Sequence, residues 1–354
     1  MKIVVLGGGV STERHVALVT ATSVCQALRR RGHQAVFVDM FLGLENYDRP
    51  LEQAFLEPDG LCGKVRIERQ EPDLNAVWKS RKLLSKGHLG KNVIEICTLA
   101  DCVFIGLHGK DGEDGKIQAV LELNGVPYTG SGPLASAIAM NKGMAKRILA
   151  ACGVRTPEWR ELEYREEDIP RLTEELELPC AVKVIDGGSS LGVVLPDTKE
   201  ELQKGLKDLL KYGNRVIVEK KIFGREFTVP VLDGHALNPI EIIPPEGTEF
   251  DYVAKYQSGA EGAQEICPAV HLNSRENRDL REIAETVHTL LDLKVYSRSD
   301  YIVDDNGRVW FLEVNTLPGM TPNSLIPRSA KVDGISYDEL CEKIVLLSLK
   351  EDRT

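Results

Sequence analysis

The segment Arg298 to Gly319 sets oxygen ligands where a buried sheet would want apolar residues: Asp300, Glu313 and Asn315 flank a turn reading Asn306-Gly307. Asn-Gly between two strand-like runs predicts a hairpin with a two-residue type I′ turn. In that register Asp300 faces Glu313, Arg298 faces Asn315, and the period of two puts all four on one face. Carboxylates facing each other at about 5 Å repel unless a cation or proton lies between them. Two carboxylates and an amide suit Mg²⁺ or Mn²⁺, with water and phosphate oxygens completing the shell. The same residues also fit the solvated face of an edge hairpin.

Other segments offer parts of the same chemistry. "VKVIDGGSSLG" ends a strand at Lys183 and turns through glycines and serines, so amides, hydroxyls and one ammonium could wrap a phosphate. The lysine precedes the glycines, which excludes a Walker P-loop. "IVEKKIFGREF" offers Glu219, Lys220, Ile222 and Glu226 to an adenine edge and ribose hydroxyls, or equally forms a charged surface turn. Lys142 at a helix start shares that ambiguity between ligand and solvated lysine. His108 follows a buried parallel strand, at the end where open α/β sheets bind ligands. Glu113 and Asp114 precede a helix, where negative charge complements the dipole. Glu13 opens the helix after "LGGGVS", a loop that does not complete the dinucleotide fingerprint.

These segments need a scaffold. "KIVVLGG", a helical stretch from Ala17 to Leu28 and "QAVFVDM" predict strand, helix and strand, the start of an open, doubly wound sheet. Residues 44–100 are irregular and charged, an elaboration of that domain. "PLASAIAMNKGMAKRILAACG" predicts one helix stopped by Gly153, followed by a small α+β module. "NRVIVEKKI", "REFTVPVL" and "PIEIIP" predict strands, followed by a polar loop, a helix over 275–292 and the hairpin.

Composition sets the outer limits. A chain of 354 residues without an apolar run of roughly 18 residues has no predicted membrane span. The N-terminus lacks a secretory pattern, so a cytoplasmic location is expected. A net charge of −10 argues against a nucleic-acid partner. The eight cysteines show no CxxC pair and read as reduced core residues.

In this order, "GGGVSTERHV", "HGKDGEDGKIQ", "YTGSGPLASAIAMNK", "VKVIDGGSSLGV", "FDYVAKY", "RSDYIV" and "FLEVNTLPGMTPNSLIP" resemble the D-alanine:D-alanine ligase family of the ATP-grasp superfamily, over nearly the whole chain. The resemblance implies an α/β N-terminal open-sheet domain over 1–130, followed by a two-module α+β ATP-grasp fold over 131–218 and 219–354. It implies ATP as a substrate and two Mg²⁺ or Mn²⁺ ions held by Asp300, Glu313 and Asn315. Lys142 and Lys183 would contact phosphates, and Glu219, Lys220, Ile222 and Glu226 would line the adenosine site.

On the same resemblance, Glu13, Ser189 and Tyr256 would orient the first D-alanine, with His108 beside it. Ser324 and Leu325 would receive the second substrate's carboxylate, and Arg298, Lys255 and Gly319 would surround the developing anion. The loop 246–262 would be the lid, and the family is usually dimeric. His15, Ala17 and Val184 depart from the family pattern, and a ligase taking D-serine as second substrate is the alternative.

Overall fold

The computed structural model describes residues 1–62, 72–187, 192–244 and 263–352. The apolar runs of the N-terminal third form a parallel sheet in which β1 (Lys2–Gly7) lies between β2 (Gln34–Asp39) and β3 (Cys102–Ile105). Such runs are what two covered faces require. The helix Arg14–Arg30 makes the crossover from β1 to β2. It packs so closely that a Cβ on Gly7 would meet Ala21 Cβ at 2.4 Å. Within 44–100 the described part carries a 3₁₀-helix, Leu51–Leu56, and two short α-helices, Leu74–Ser80 and Val93–Cys97, with the Arg81 guanidinium 4.2 Å from the Phe41 ring and 5.3 Å from that of Trp78.

The single helix expected after Pro133 is two helices, Pro133–Met140 and Lys142–Ala151. Asn141 leaves helical conformation at φ −88° and ψ 99°, and its side chain accepts from Met144 N at 3.0 Å. Asparagine satisfies a helix N-terminus better than it extends a helix interior, and here that preference wins. Lys142 therefore opens a new helix, with its own N–H donating to Ile185 O at 3.1 Å.

A second sheet follows the order β4 (Trp159–Glu163), β7 (Arg215–Lys220), β5 (Cys180–Val184), β6 (Val193–Val194). The helices Ile169–Glu175 and Lys199–Leu209 back it, and Leu172, Val182, Leu206 and Val216 share a core of their own. Thr198 and Glu201 form the capping box that starts the second of these helices.

The third sheet runs β11 (Gln264–Ile266), β10 (Ile240–Ile243), β8 (Arg225–Leu232), β12 (Tyr296–Val303), β13 (Val309–Asn315), with β9 (His235–Ala236) beside β8. The helix Ser274–Leu290 covers one face through Leu280, Ala284 and Val287, against Phe227, Tyr301 and Phe311. After β13 the chain returns to the first sheet. Leu317, Ile326, Leu340 and Ile344 join the core of Ile3, Val5 and Phe104, and Arg30 pairs with Asp338 at 2.7 Å. That return carries the end of β13 to the carboxyl end of the parallel strands.

The cysteines are all unbridged, as expected, but not all are core residues. Cys152 is exposed at a helix end, and Cys62 and Cys267 are half-buried. No helix among the described residues is long and apolar enough to cross a membrane.

Candidate active site

The hairpin places Asp300 opposite Glu313 and Arg298 opposite Asn315, as the sequence predicts, but by a different route. The turn is not a two-residue type I′ turn. Val303 pairs with Val309, Asp304 N donates to Arg308 O at 3.0 Å, and Gly307 alone of the Asn-Gly pair has positive φ, at 71°. Asp304 organises the longer turn, its carboxylate accepting from Asn306 N and Arg308 N, each at 2.9 Å. The register then shifts between Asp300 and Tyr301, leaving Leu312 as the extra residue of a β-bulge. The two irregularities cancel at the carboxylates.

The polar face is densely paired. Arg298 Nε and Nη2 donate to Asp300 Oδ1 and Oδ2 at 3.1 and 3.2 Å, and Thr228 Oγ1 donates to Oδ1 at 2.5 Å. Lys142 Nζ lies 3.2 Å from Glu313 Oε2 and also donates to the Gly187 carbonyl. Lys142 is buried, which removes its reading as a solvated lysine. One cleft is lined by Lys142, Gly187, Glu313, Asn315 and Glu113.

The donor set fits a divalent cation only in part by itself. Among the described residues no three His, Cys, Asp or Glu side chains cluster as a metal site. Two carboxylates and the Asn315 amide leave coordination positions for phosphate oxygens and water, as Mg²⁺ usually requires. Asn315 Nδ2 is buried without a hydrogen-bond partner. A half-turn of the amide puts its oxygen there instead, where a cation would satisfy it.

Behind Lys142, one helical turn on, a second charged group is fully buried. Lys183 Nζ donates to Glu219 Oε2 at 2.9 Å, and Lys146 Nζ lies 3.1 Å from Glu219 Oε1. Burial raises a carboxyl pKa, but Lys146 and Lys183 outweigh it and hold Glu219 below its ordinary value. Burial likewise opposes charge on Lys183, yet Glu219 and Glu313 raise its pKa. Lys146 goes the other way: burial pulls it down to about 8, with Glu219 opposing and Lys183 assisting. Glu226 adds to the field at Lys183 from β8, while Lys220 is exposed at the end of β7 and Ile222 half-buried just beyond.

At the carboxyl end of the parallel sheet, His108 Nδ1 donates to Leu317 O at 2.9 Å and Nε2 accepts from Thr20 Oγ1 at 3.0 Å. The carbonyl fixes the tautomer. Burial, with the charge of Arg298 assisting, pushes His108 down to about 4, so the imidazole is neutral at pH 7. Glu13 is buried beside Gly109, whose added Cβ would meet Glu13 Oε2 at 2.7 Å. Ser11 Oγ donates to His108 O at 2.8 Å and accepts from Glu13 N at 3.2 Å, coupling the two loops.

Glu113 is not a helix cap. The following helix, Lys116–Leu123, has Gly115 at its N-cap, while the Glu113 carboxylate turns inward to accept from Gly109 N at 2.8 Å and Leu317 N at 3.2 Å. Burial and the neighbouring Glu13 charge push it up to about 8, with the two amides and Arg298 pulling back. Arg298 pairs with Asp300 and faces Asn315, two residues before the Leu317 whose backbone holds His108 and Glu113.

Ser324 caps the helix Leu325–Val332, and its hydroxyl meets Thr321 Oγ1 at 2.8 Å instead of the first helical amides. Gly319 packs over it, where an added Cβ would lie 3.0 Å from Ser324 Oγ. The Ser324 side chain therefore makes no capping hydrogen bond to the first amides of the helix. Ser189, Lys255, Tyr256 and the lid expected over 246–262 lie outside the described residues.

The sequence reading missed Lys146, Thr228 and the inward role of Glu113. For Lys146 a signal exists: it stands four residues after Lys142, on the same helix face.

The family model described as D-ala D-ala ligase N-terminus matches residues 2–131, and the one described as D-ala D-ala ligase C-terminus matches residues 148–346. A D-alanine--D-alanine ligase of Lacticaseibacillus casei is 39% identical over 359 aligned residues, covering 99% of this chain and 96% of the relative. One of Aquifex aeolicus is 35% identical, covering 98% of this chain and 100% of the relative. Among solved structures, the D-alanine--D-alanine ligase of Bacillus anthracis complexed with ATP superimposes with a TM-score of 0.70 at 29% identity, covering 99% of this chain and 98% of that one. The D-alanyl-alanine synthetase A of Vibrio cholerae gives 0.74 at 26% identity, covering 99% of both chains. With both halves matched in order and the relatives aligned end to end, the chain belongs to the D-alanine–D-alanine ligase family.

Proposed function

We propose that the chain joins two D-alanines into D-alanyl-D-alanine at the expense of ATP, supplying a peptidoglycan precursor. The observation that carries the reading is Arg298. It pairs with Asp300 on the phosphate side, and the strand facing it at Asn315 runs on to Leu317, whose carbonyl and amide hold His108 and Glu113 on the amino-acid side. Arg298 and the strand facing it thus link the two halves of the reaction.

A carboxylate is a poor electrophile, so the reaction needs an acylphosphate. An oxygen of the first D-alanine's carboxylate attacks the γ-phosphorus, and the bond to the ADP oxygen breaks. The free amine of the second D-alanine then attacks the carbonyl. The tetrahedral anion collapses with loss of phosphate, and the nitrogen sheds one proton as the amide forms.

Lys142 and Lys183 neutralise charge on the transferring phosphoryl group, and Arg298 and the Gly319 segment face the tetrahedral anion. Asp300, Glu313 and Asn315 would hold the magnesium ions, which supply charge neutralisation at the phosphates. Glu13 accepts the first ammonium beside the neutral His108. Ser324 and the Leu325 amide take the second carboxylate. Glu219, Lys220, Ile222 and Glu226 flank the adenosine. Ser189, Lys255 and Tyr256 keep the roles implied by resemblance.

The divisions 1–130, 131–218 and 219–354, a cytoplasmic location and a homodimeric state belong to the same reading. The test is phosphate release from ATP that depends on D-alanine, with the dipeptide identified by mass spectrometry. Competition of D-serine with D-alanine, read as a ratio of kcat/KM values, assigns the second substrate.

A further inference from the structure

A lysine paired one-to-one with a buried carboxylate has no charge to spare for a phosphate. Lys183 would be in that position: Glu219 Oε2 holds its ammonium at 2.9 Å, with Glu219 almost wholly buried. The second carboxylate oxygen faces Lys146 at 3.1 Å, and Lys146 is itself completely buried. Two ammonium groups against this carboxylate leave a positive charge that Glu219 alone does not cancel; Glu313, whose field also reaches Lys183, is paired with Lys142. Of the two lysines, Lys183 lies next to the last residue of β5, Val184, where the chain leads on toward Gly187.

The Lys146 ammonium is also held in place. It donates to Thr156 Oγ1 at 2.6 Å and to Phe311 O at 3.4 Å, and Thr156 Oγ1 donates to the same carbonyl at 3.0 Å. These contacts pin the Lys146 ammonium, which projects from the same helix as Lys142, against β13, the strand that carries Glu313. Burying such a charge is costly without a specific partner. The partner here is Glu219, shared with Lys183.

We propose that Lys146 is a positioning residue for nucleotide binding: it neutralises Glu219 so that the Lys183 charge is delivered to the ATP phosphates rather than spent on the carboxylate. Lys146 does not touch the nucleotide. The proposal rests on the reading of Lys183 as a phosphate ligand, and deepens it.

The test is a double-mutant cycle on the full chain, with ATP binding measured by calorimetry at fixed magnesium and steady-state KM measured for ATP and D-alanine separately. Lys146→Met should raise the Kd for ATP at least tenfold, with KM for ATP rising far more than KM for D-alanine. In a Glu219→Gln background, adding Lys146→Met should change the ATP Kd less than threefold, because no carboxylate remains to be neutralised.

A Lys146→Met chain that binds ATP like the wild type overturns the proposal. So does an equal loss in the two backgrounds, which is what a packing role alone gives. Should Lys146→Met fail to fold, the comparison of Glu219→Gln with Glu219→Gln/Lys146→Met decides, a tenfold difference contradicting the account. A wild-type chain that binds no ATP overturns the functional reading itself, a failure separable from the others.

Discussion

Asp300 lies opposite Glu313 because an enlarged turn and a β-bulge offset each other by one residue. The turn holds Asp304 to Arg308 instead of two residues, and Leu312 restores the count before β13 reaches its carboxylate. A slip of one residue would send Glu313 to the other face, so the two irregularities act as a unit.

Gly307 should therefore be sensitive although it is far from the chemistry. Its φ of 71° lies in the left-handed region, while an added Cβ finds room, with Glu276 Oε1 nearest at 3.7 Å. Gly307→Ala should destabilise by about 1–2 kcal/mol through backbone strain alone. Chemical denaturation measures this; an unchanged midpoint would contradict the turn assignment.

Glu313 carries the strongest functional expectation. Glu313→Gln keeps volume and shape but removes the charge facing Asp300 and the partner of Lys142. Turnover should fall at least a hundredfold, the order seen when one stabilising charge or donor leaves an active site. The melting temperature should hold within a few degrees. Near wild-type turnover would sink the cation assignment.

The buried pair between Arg14 and Asp39 supports the glycine loop. Asp39 accepts from Arg14 Nη2 at 2.5 Å, Phe41 N at 2.9 Å and Leu42 N at 3.1 Å, and Arg14 also donates to Gly9 O. Asp39→Ala strands the arginine and the amides together and should cost about 3–5 kcal/mol. Arg14→Met should cost less, because the Asp39 carboxylate keeps its amide donors. Equal losses in thermal denaturation would contradict this ordering.

His288 gives a pH signature away from the catalytic cleft. Burial, with Lys294 assisting, pushes it from 6.5 down to about 4, and its Nδ1 lies 2.7 Å from Ser297 Oγ. Between those values the unfolded chain binds the proton and the folded chain does not. This group's contribution is therefore present above about 6.5 and is lost as pH falls toward about 4. Relative to His288→Asn, the wild type should lose on the order of 1.4 kcal/mol per pH unit across that window. Parallel stability curves for the two proteins would contradict it.

Much of this was legible in the sequence because strand and turn signals are local. Asn306-Gly307 announces the hairpin, and the apolar runs around Ile3 and Val103 announce the parallel sheet. What stayed hidden depends on tertiary partners. Lys146 looks like any helix lysine until Glu219 arrives from another strand, and Glu113 looks like a cap until the chain beyond β13 presents the Leu317 amide. Asn141 shows the middle case: its capping preference is local, but an apolar run on both sides outvoted it in the pattern.

The most direct measurement of the central claim is a coupled assay with ATP, magnesium and D-alanine, counting phosphate and dipeptide together. The account predicts one phosphate released per D-alanyl-D-alanine formed, with none above background when D-alanine is withheld. ATP hydrolysis that proceeds without D-alanine, or phosphate release with no dipeptide in the mass spectrum, would contradict it.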